Sequence, residues 1–552
     1  MENNFRLSFP ESVARADVSV SNLTDVDVTA EGGGGVQIQS RRVTFDSSEI
    51  AVNTVVSKSG GTLVVNASES VELLERSRLL TETTSSGTAG ELRIETGRLI
   101  VQDGSQISAS TAPQSTGGGG ILFVNAKDSI QLIGTSSIGE PEKRSSGLFT
   151  VTQGTGNAGE LKIETGQLIV QDGAQVSAST ITQGRAGTLS VTADSIQLIG
   201  TSAIGKPSGL FVSTTSGGDA GNLEIETGQL IVQKGAGISA STFSESTGQG
   251  GNIIVKTGEL NVLNNADITV SSQGTKKAGD LEITARFIKL DDQGKLIGQA
   301  NFGDGGNITL NLQDLLLLRR NSEISTSAGT KGAGGNGGNI IINAPNGFIA
   351  AKPNENSDIT ANAYNGNGGT VKINATKIFG IASLTSEDLK RLRPNDPDSD
   401  PHKLQTNDIT AISQTRPDLS GIVEINTLNI DPYRGLINLP AVPVNTQVSQ
   451  VCQARTAQNQ SSFTIAGRGG LPPNPRTEPL TPDAVQLDWV TLNPKGENHS
   501  STNVSNQANS SSPAPIVEAQ GWVRNTKGEV VLTADAPTAL PHSSWLTPAS
   551  CF

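Results

Sequence analysis

Short stretches of alternating apolar and polar residues recur along most of this chain. In AGELRIETGRLIVQDGSQISAST, residues 89–111, Leu92 and Ile94 alternate with charged residues, and two further apolar runs, LIV and ISA, follow. An alternation of period two predicts a β-strand with one buried face and one solvated face. Turn signals at Gly97 and Gly104 separate the three runs. One unit therefore predicts three short strands, and no part of it has helical spacing.

The same phrase returns at residues 158–180 and 220–242, and a related phrase, DSIQLIG, begins at residues 128 and 194. Internal repetition at this period is typical of stacked structural units. A small pair containing glycine opens each unit, and most of these glycines are 26 to 34 residues apart: Gly35, Gly61, Gly90, Gly120, Gly159, Gly187, Gly221, Gly251, Gly279, Gly306, Gly338 and Gly369. A degenerate start at Gly421 brings the number of candidate coils to about 13.

Three strands and three corners per unit predict a coil that closes as a triangle. Stacked coils pair equivalent strands in parallel at about 4.8 Å, so 13 coils predict a rod on the order of 60 Å long. Inward Leu, Ile, Val and Ala would form columns, and a single coil is unable to bury them without its neighbours. The predicted fold class is therefore all-β, a parallel β-helix.

An asparagine often follows the opening glycine pair. Such a residue is able to satisfy corner backbone groups and to stack on the equivalent residue of the next coil. The sequence thus suggests a turn ladder, although Asn is also simply common in turns. The ladder candidates are Asn222, Asn252, Asn307 and Asn339.

The chain divides into four parts by composition. Residues 1–30 alternate weakly and predict a partial N-terminal coil, and residues 31–430 carry the β-helix repeats. Residues 431–515 are a Pro-, Asn- and Ser-rich extended linker. Residues 516–552 predict a β-hairpin followed by a cysteine-containing tail.

One insertion interrupts the last coil after Ile381, with the sequence TSEDLKRLRPNDPDSDPHKLQ. Thr385 or Ser386 is placed to cap a short helix running to Leu392, and Pro394 would end it. The insertion predicts a loop on one side of the rod and is the best candidate for a specific protrusion.

The composition of the chain argues against several classes of function. The formal net charge of −13 argues against nucleic-acid binding, because no basic patch is present to replace counterions. No apolar run is long enough for a transmembrane helix, and the first residues do not form a recognisable signal peptide. Sixty-three glycines with only 3% aromatic residues fit a narrow rod better than a conventional globular core.

The sequence predicts no catalytic, cofactor or metal site. Acidic residues recur at equivalent places in successive copies, which is typical of a solvated stripe; they include Glu91, Glu95, Glu160, Glu164, Glu224 and Glu226. Asp291, Asp292 and Asp304 lie in glycine-containing turns and are candidates for contact with a cation, but they lack the regular calcium-binding nonapeptide. The three histidines, His402, His499 and His542, lie in loops without ligand spacing.

Serine and threonine crowd one side of the third strand in each copy. This pattern predicts an outer face that is either a hydrogen-bonding strip for glycans and surfaces or simply a polar solvent face. The residues are Ser108, Ser110, Thr111, Ser177, Ser179, Thr180, Ser239, Ser241 and Thr242.

The phrases DPYRGLINLP, SSFTIAGRGGLPPNP and EAQGWVRNTKGEVVLTA, together with the GGN and AGx coil openings, resemble cyanobacterial exoproteins of the filamentous-haemagglutinin, two-partner-secretion type. The resemblance covers nearly the whole chain. It implies a right-handed parallel β-helix exported through an outer-membrane barrel transporter and acting as a non-enzymatic adhesin. It also implies an extracellular or outer-membrane-associated location, with surface glycans or other cells as partners.

The usual signal peptide and N-terminal secretion domain of that group have no counterpart here, so we expect the chain to be the C-terminal portion of a longer protein, the alternatives being a split gene and a misplaced start. In an oxidising compartment, Cys452 and Cys551 would form a disulfide, the alternative being two free thiols. A polysaccharide lyase or hydrolase on the same scaffold and a fragment of a decayed adhesin gene are the competing hypotheses.

Overall fold

The computed structural model describes residues 13–427, except 33, 137–143, 245, 330–332 and 396–399, and also residues 521–524 and 530–533. Residues 13–427 form an all-β parallel solenoid of about 13 turns. Two parallel sheets of 14 strands each run along it. The predicted β-helix is confirmed.

Most strands of the first sheet have 10 to 13 residues, so we call it the long-strand sheet. Each strand pairs in parallel with the equivalent strands of the coils on either side. The strands are Val18–Val20, Gly35–Asp46, Thr62–Leu74, Glu91–Gln102, Ile121–Ile133, Glu160–Gln171, Thr188–Ile199, Asn222–Gln233, Ile253–Leu263, Leu281–Asp291, Ile308–Leu318, Ile340–Ala351, Thr370–Phe379 and Ile422–Thr427.

The second sheet consists almost entirely of three-residue strands, and we call it the short-strand sheet. Its strands are Asp25–Asp27, Glu49–Ala51, Arg78–Leu80, Gln106–Ser108, Gly147–Phe149, Gln175–Ser177, Gly209–Phe211, Gly237–Ser239, Asp267–Thr269, Lys295–Ile297, Glu323–Ser325, Asp358–Thr360, Asp408–Thr410 and Ala382–Ser383. Just after each of these strands a further column of single β-bridges joins the coils, from Ala30 through Thr111 to Ser413.

The predicted turn at Gly97 is wrong. Glu91–Gln102 is one continuous strand, in which the pairing with the next coil shifts between Thr96 and Arg98. The alternation of buried residues breaks at Gly97 and Arg98, so that Leu92 and Leu99 both point into the core. The pairings of the coils on either side shift at the same place, whereas the four pairings from Glu160–Gln171 to Leu281–Asp291 pass this place in register, so the ladder continues through it. Two of the three predicted strands are thus the arms of one bent strand.

The core consists of columns of aliphatic side chains. Leu92 lies between Leu63 and Leu122 of the adjacent coils, and all three are fully buried. Leu316 and Leu318 are buried in the same way, whereas Leu315 and Leu317 lie half-buried on the outer face. Burial of aliphatic columns contributes about 25 cal/mol per Å² of apolar area removed from water.

The coil-opening glycines form a column in which successive backbones touch. A Cβ built on Gly251 would lie 1.9 Å from the carbonyl oxygen of Gly221, and one on Gly279 would lie 1.8 Å from that of Gly251. Real Cβ atoms never approach an oxygen so closely. The glycine period of the sequence is therefore a requirement for close packing of coil on coil.

The insertion, residues 380–407, begins with Ala382–Ser383, which pairs with Asp408–Thr410 at the end of the short-strand sheet. The helix Ser386–Leu392 follows, and the N-cap is Thr385, whose side chain accepts a hydrogen bond from the Asp388 N–H in a capping box. Short 3-10 helices occupy Pro401–Lys403 and Pro417–Leu419.

Gly521–Arg524 pairs antiparallel with Val530–Thr533, as the predicted hairpin requires. Residues Val18–Val20 and Asp25–Asp27 form the first strands of the solenoid, within the segment predicted as a partial coil. Cys452, Cys551 and the linker 431–515 lie outside the described residues.

Gly251→Ala should destabilise the solenoid by about 1–3 kcal/mol, because the added methyl group forces two backbones apart. Urea denaturation followed by far-UV circular dichroism measures the change. Gly334→Ala is the matched control, since a Cβ there meets nothing within 4 Å. Equal stability of the two variants would contradict close packing at the glycine column.

Candidate functional site

A column of ionisable residues begins the short strands of the last coils. Asp267, Lys295, Glu323, Asp358 and Asp408 occupy equivalent positions in successive coils. Each precedes a fully buried core residue, such as Ile268 or Ile359, and therefore lies on the outer face of the sheet. Residues at this position in the middle coils are Gln or Gly, and the first coils carry Asp25, Glu49 and Arg78 there, so ionisable residues occupy this position at both ends of the solenoid.

The insertion places His402 against this column. Its Nδ1 lies 2.9 Å from Asp358 Oδ2, and its Nε2 lies 3.5 Å from Glu323 Oε1. The side chain of Asp400 accepts a hydrogen bond from the His402 backbone N–H, and Asn356 Nδ2 donates to the His402 carbonyl. One histidine from a loop thus bridges the acids of two neighbouring coils.

His402 is held as a cation. Burial alone would lower its pKa, but the hydrogen bond to Asp358 and the charges of Glu323, Asp358 and Asp400 raise the pKa to about 9. Because 43% of the His402 side chain remains exposed, solvent screens part of this attraction. The imidazolium supplies a positive charge where three carboxylates converge.

The other acids of the column respond to burial. Burial and the nearby charge of Asp358 raise the pKa of Asp408 to about 6, although Thr406 Oγ1 donates a hydrogen bond to it. Burial raises the pKa of Asp267 to about 6 as well, against the opposing charge of Lys295. The repulsion between carboxylates of adjacent coils, such as Asp358 and Asp408, is therefore only partly offset by the positive charge of His402.

Two open depressions flank His402 on this face. The first, about 400 Å³, is lined by Lys295, Glu323 and the amide side chains Gln293, Asn321 and Asn356. The second, about 240 Å³, is lined by Asp400, Tyr364 and the amide side chains Gln299, Asn301, Asn362 and Gln414. His402 contributes to the wall of both.

The acids of the column are poorly placed for hydrolysis. Glycoside hydrolysis in most families requires two carboxyl groups that both face the substrate. Asp358 and Asp408 are at most 1% exposed, and Asp358 is occupied by His402. Among the described residues, no group of three His, Cys, Asp or Glu side chains is arranged to hold a metal ion.

This cluster was missed by sequence reasoning, which placed His402 in a loop without partners. Asp358 and His402 are 44 residues apart, and no local motif links them. The one signal of this cluster in the sequence was the insertion, which interrupts the repeat just before the short strand Asp408–Thr410.

The asparagines predicted to form a ladder lie at the start of the long strands, where each side-chain oxygen accepts a hydrogen bond from the backbone of the next coil. Asp280 fills a position in this series that the prediction did not include, and its carboxylate supplies the same acceptor. The bonds are Asn252 N–H to Asn222 at 3.4 Å, Asp280 N–H to Asn252 at 3.1 Å, Asn307 N–H to Asp280 at 3.0 Å, Asn339 N–H to Asn307 at 3.1 Å and Thr370 N–H to Asn339 at 3.1 Å.

The serine and threonine strip is not a solvent face, and that prediction is wrong. Ser108, Ser177 and Ser241 are 4–6% exposed, because small side chains on adjacent coils cover one another. Their hydroxyls bond within the strip, as in the pair Ser108 and Ser110 at 2.8 Å. Thr111 belongs to a separate, buried column of single bridges and contacts Thr152 at 2.6 Å.

The aspartates named as possible cation contacts have protein partners. Asp291 pairs with Lys289 at 3.2 Å and with Arg320 at 2.7 Å. Asp304 accepts a hydrogen bond from the Asn336 N–H at 2.8 Å. Asp292 accepts from Asn264 Nδ2 at 2.7 Å.

No family model matches this chain, and no match was found among curated proteins or solved structures. Within the described part of the chain, no helix has the length and apolar character needed to cross a membrane.

The NMR titration of His402 should have its midpoint near pH 9. Because folding raises this pKa from its ordinary value of 6.5, the stabilisation by His402 is complete below pH 6.5 and is lost as the pH rises through 9. Histidine ring-proton shifts measured from pH 5 to 10 provide the test, with His402→Gln to assign the signal. A midpoint near 6.5 would show that the imidazole does not pair with the acids.

Replacement of the two buried aspartates should have opposite effects at pH 8. Asp358→Asn should destabilise by roughly 1–2 kcal/mol, because the charge-assisted bond to a partly exposed His402 is weakened. Asp408→Asn should stabilise, since it removes a carboxylate whose ionised form is disfavoured above pH 6. Urea denaturation measures the free energy of unfolding of both variants. Changes of the same sign in the two variants would refute the opposite roles of Asp358 and Asp408.

Proposed function

We propose that this chain is a non-enzymatic, β-helical, adhesin-like protein that acts at the cell surface or in the medium. Export by a two-partner route through an outer-membrane barrel transporter is part of the proposal and rests on the resemblance of the C-terminal phrases to filamentous-haemagglutinin-like exoproteins. The proposed partners are surface polysaccharides or other cells.

The repetitive architecture supports a role in presentation. Each coil buries its own aliphatic residues against its neighbours, and the outer surface repeats the same short-range pattern from coil to coil. A stack of this kind is stabilised by nearest-neighbour contacts and offers an extended surface for binding. Such a surface suits recognition of a long or repeating partner.

The burial of Asp358 and Asp408 is the observation that favours binding over hydrolysis. Where the acids Glu323, Asp358 and Asp408 of the last coils converge, His402 closes the site and leaves Glu323 as the partly reachable carboxylate of the three. A hydrolase would need a second carboxylate open to the substrate. The site therefore fits a ligand that is held and not cleaved.

Adhesion by the purified full-length protein tests the proposal. Beads coated with the folded protein should retain bacterial cells or their isolated surface polysaccharide, whereas beads coated with the same protein after denaturation should not. Absence of retention by the folded protein would count against an adhesin.

The competing enzymatic hypothesis is tested on the same material. Incubation with the retained polysaccharide should release no reducing ends and no unsaturated products. Reproducible cleavage, abolished by Glu323→Gln, would replace the adhesin proposal with a polysaccharide-acting enzyme.

A further inference from the structure

The two depressions beside His402 differ from the rest of the outer surface in their chemistry. Seven residues with amide side chains line them, three on one side of His402 and four on the other. Three of these amides are engaged within the protein: Asn356 donates to the His402 carbonyl, Gln299 donates to Glu323 and Ser325, and the buried Asn362 accepts from the Ile412 N–H. An amide both donates and accepts hydrogen bonds, as a sugar hydroxyl does, so closely spaced amides complement a polyhydroxylated ligand.

The stacked turns that lead into the short strands place the amides of the first depression. Gln293, Asn321 and Asn356 all have φ between +50° and +65°. The backbone N–H of Gln293 donates to the Arg320 carbonyl at 2.8 Å, and that of Asn321 donates to the Glu355 carbonyl at 2.7 Å. Hydrogen bonds between coils thus fix the positions of these turns. Within the described residues, the side-chain amides of Gln293 and Asn321 have no protein partner.

The charges around the depressions are paired with one another. Lys295 Nζ lies 3.7 Å from Glu323 Oε2, and His402 lies between Glu323 and Asp358. With Asp400 included, the local balance is slightly negative. A polyanion would be repelled here, whereas a neutral chain meets no electrostatic penalty.

The two depressions also lie in line. The first opens beside the first residue of the short strands, Lys295 and Glu323, and the second beside Gln299 and Ser327, four residues further along the same coils. Four residues of strand span about 13 Å. Tyr364 adds an aromatic side chain in the second depression, where it is able to pack against the apolar face of a sugar ring.

We propose that the two amide-lined depressions on either side of His402 form one groove that binds a neutral, polyhydroxylated chain, such as a glucan or mannan, across the outer face of the last coils. This inference rests on the proposed function and gives it a ligand class and a location. The ligand runs along the coils, with His402 at its midpoint and amide groups at both ends.

Isothermal titration calorimetry on the full-length protein tests the ligand class. The probes are the neutral hexasaccharides cellohexaose, maltohexaose and mannohexaose, with hexagalacturonate as an acidic chain of equal length. At least one neutral hexasaccharide should bind, and hexagalacturonate should not. Failure of all three neutral probes, or preference for hexagalacturonate, overturns the proposal.

Two variants test the location. Gln293→Gly combined with Asn321→Gly removes two amides at positions where glycine keeps the left-handed backbone, and it should weaken binding about tenfold or more. Asn265→Gly is the matched control, because Asn265 has φ +60° in the preceding turn and does not line the groove. Its affinity should equal that of the wild type, and equal losses in the two variants would refute the location.

Tyr364→Ala tests whether the depressions act as one groove. It should weaken binding of the same hexasaccharide, and an unchanged affinity would show that the second depression takes no part. If wild-type beads retain cells but no neutral probe binds, the groove is wrong and the adhesin proposal survives. If the beads retain nothing, the adhesin proposal fails with it.

Discussion

The close approach of backbone to backbone at the coil-opening glycines is the constraint on which the solenoid depends. From Gly90 to Gly421, an added Cβ would lie within 1.7–2.1 Å of the carbonyl oxygen of the preceding coil. Hydrogen bonds between parallel strands require the coils to lie about 4.8 Å apart, and only glycine permits this spacing at that corner. The aliphatic columns, the turn ladder and the long continuous sheets all follow from coils that stack in register.

Polar side chains are accommodated because equivalent residues of adjacent coils hydrogen-bond to one another. An Asn or Asp in one coil satisfies the backbone N–H of the next, and hydroxyls of the short-strand sheet bond to one another along the strip. Such stacks tolerate burial because each donor has an acceptor one coil away. Carboxylates at the same position of adjacent coils are different, since like charges at coil spacing repel. The column from Glu323 to Asp408 therefore depends on a cation brought from outside the repeat.

His402 is that cation, and its position explains why the same place is the candidate binding site. The insertion that carries it leaves the regular coil path after Phe379 and returns at Asp408, and its residues Asp400 and His402 lie against the outer face of the short strands. A flat face thereby becomes two depressions with a shared wall. The stacked coils provide most of the amide side chains, and the insertion provides the wall that divides the face into two depressions.

The sequence by itself determined the parallel β-helix, the number of coils, the aliphatic core positions and the glycine column, because each of these depends on spacing within one unit or on the recurrence of that unit. It also determined the short helix that ends at Leu392, from local capping and proline signals, but left the cap open between Thr385 and Ser386. Only the tertiary structure decided the continuous bent strand through Gly97, the burial of the serine strip and the contact of His402 with Asp358. These features depend on what the adjacent coil or a distant loop places beside a residue. No pattern within a single thirty-residue unit contains that information.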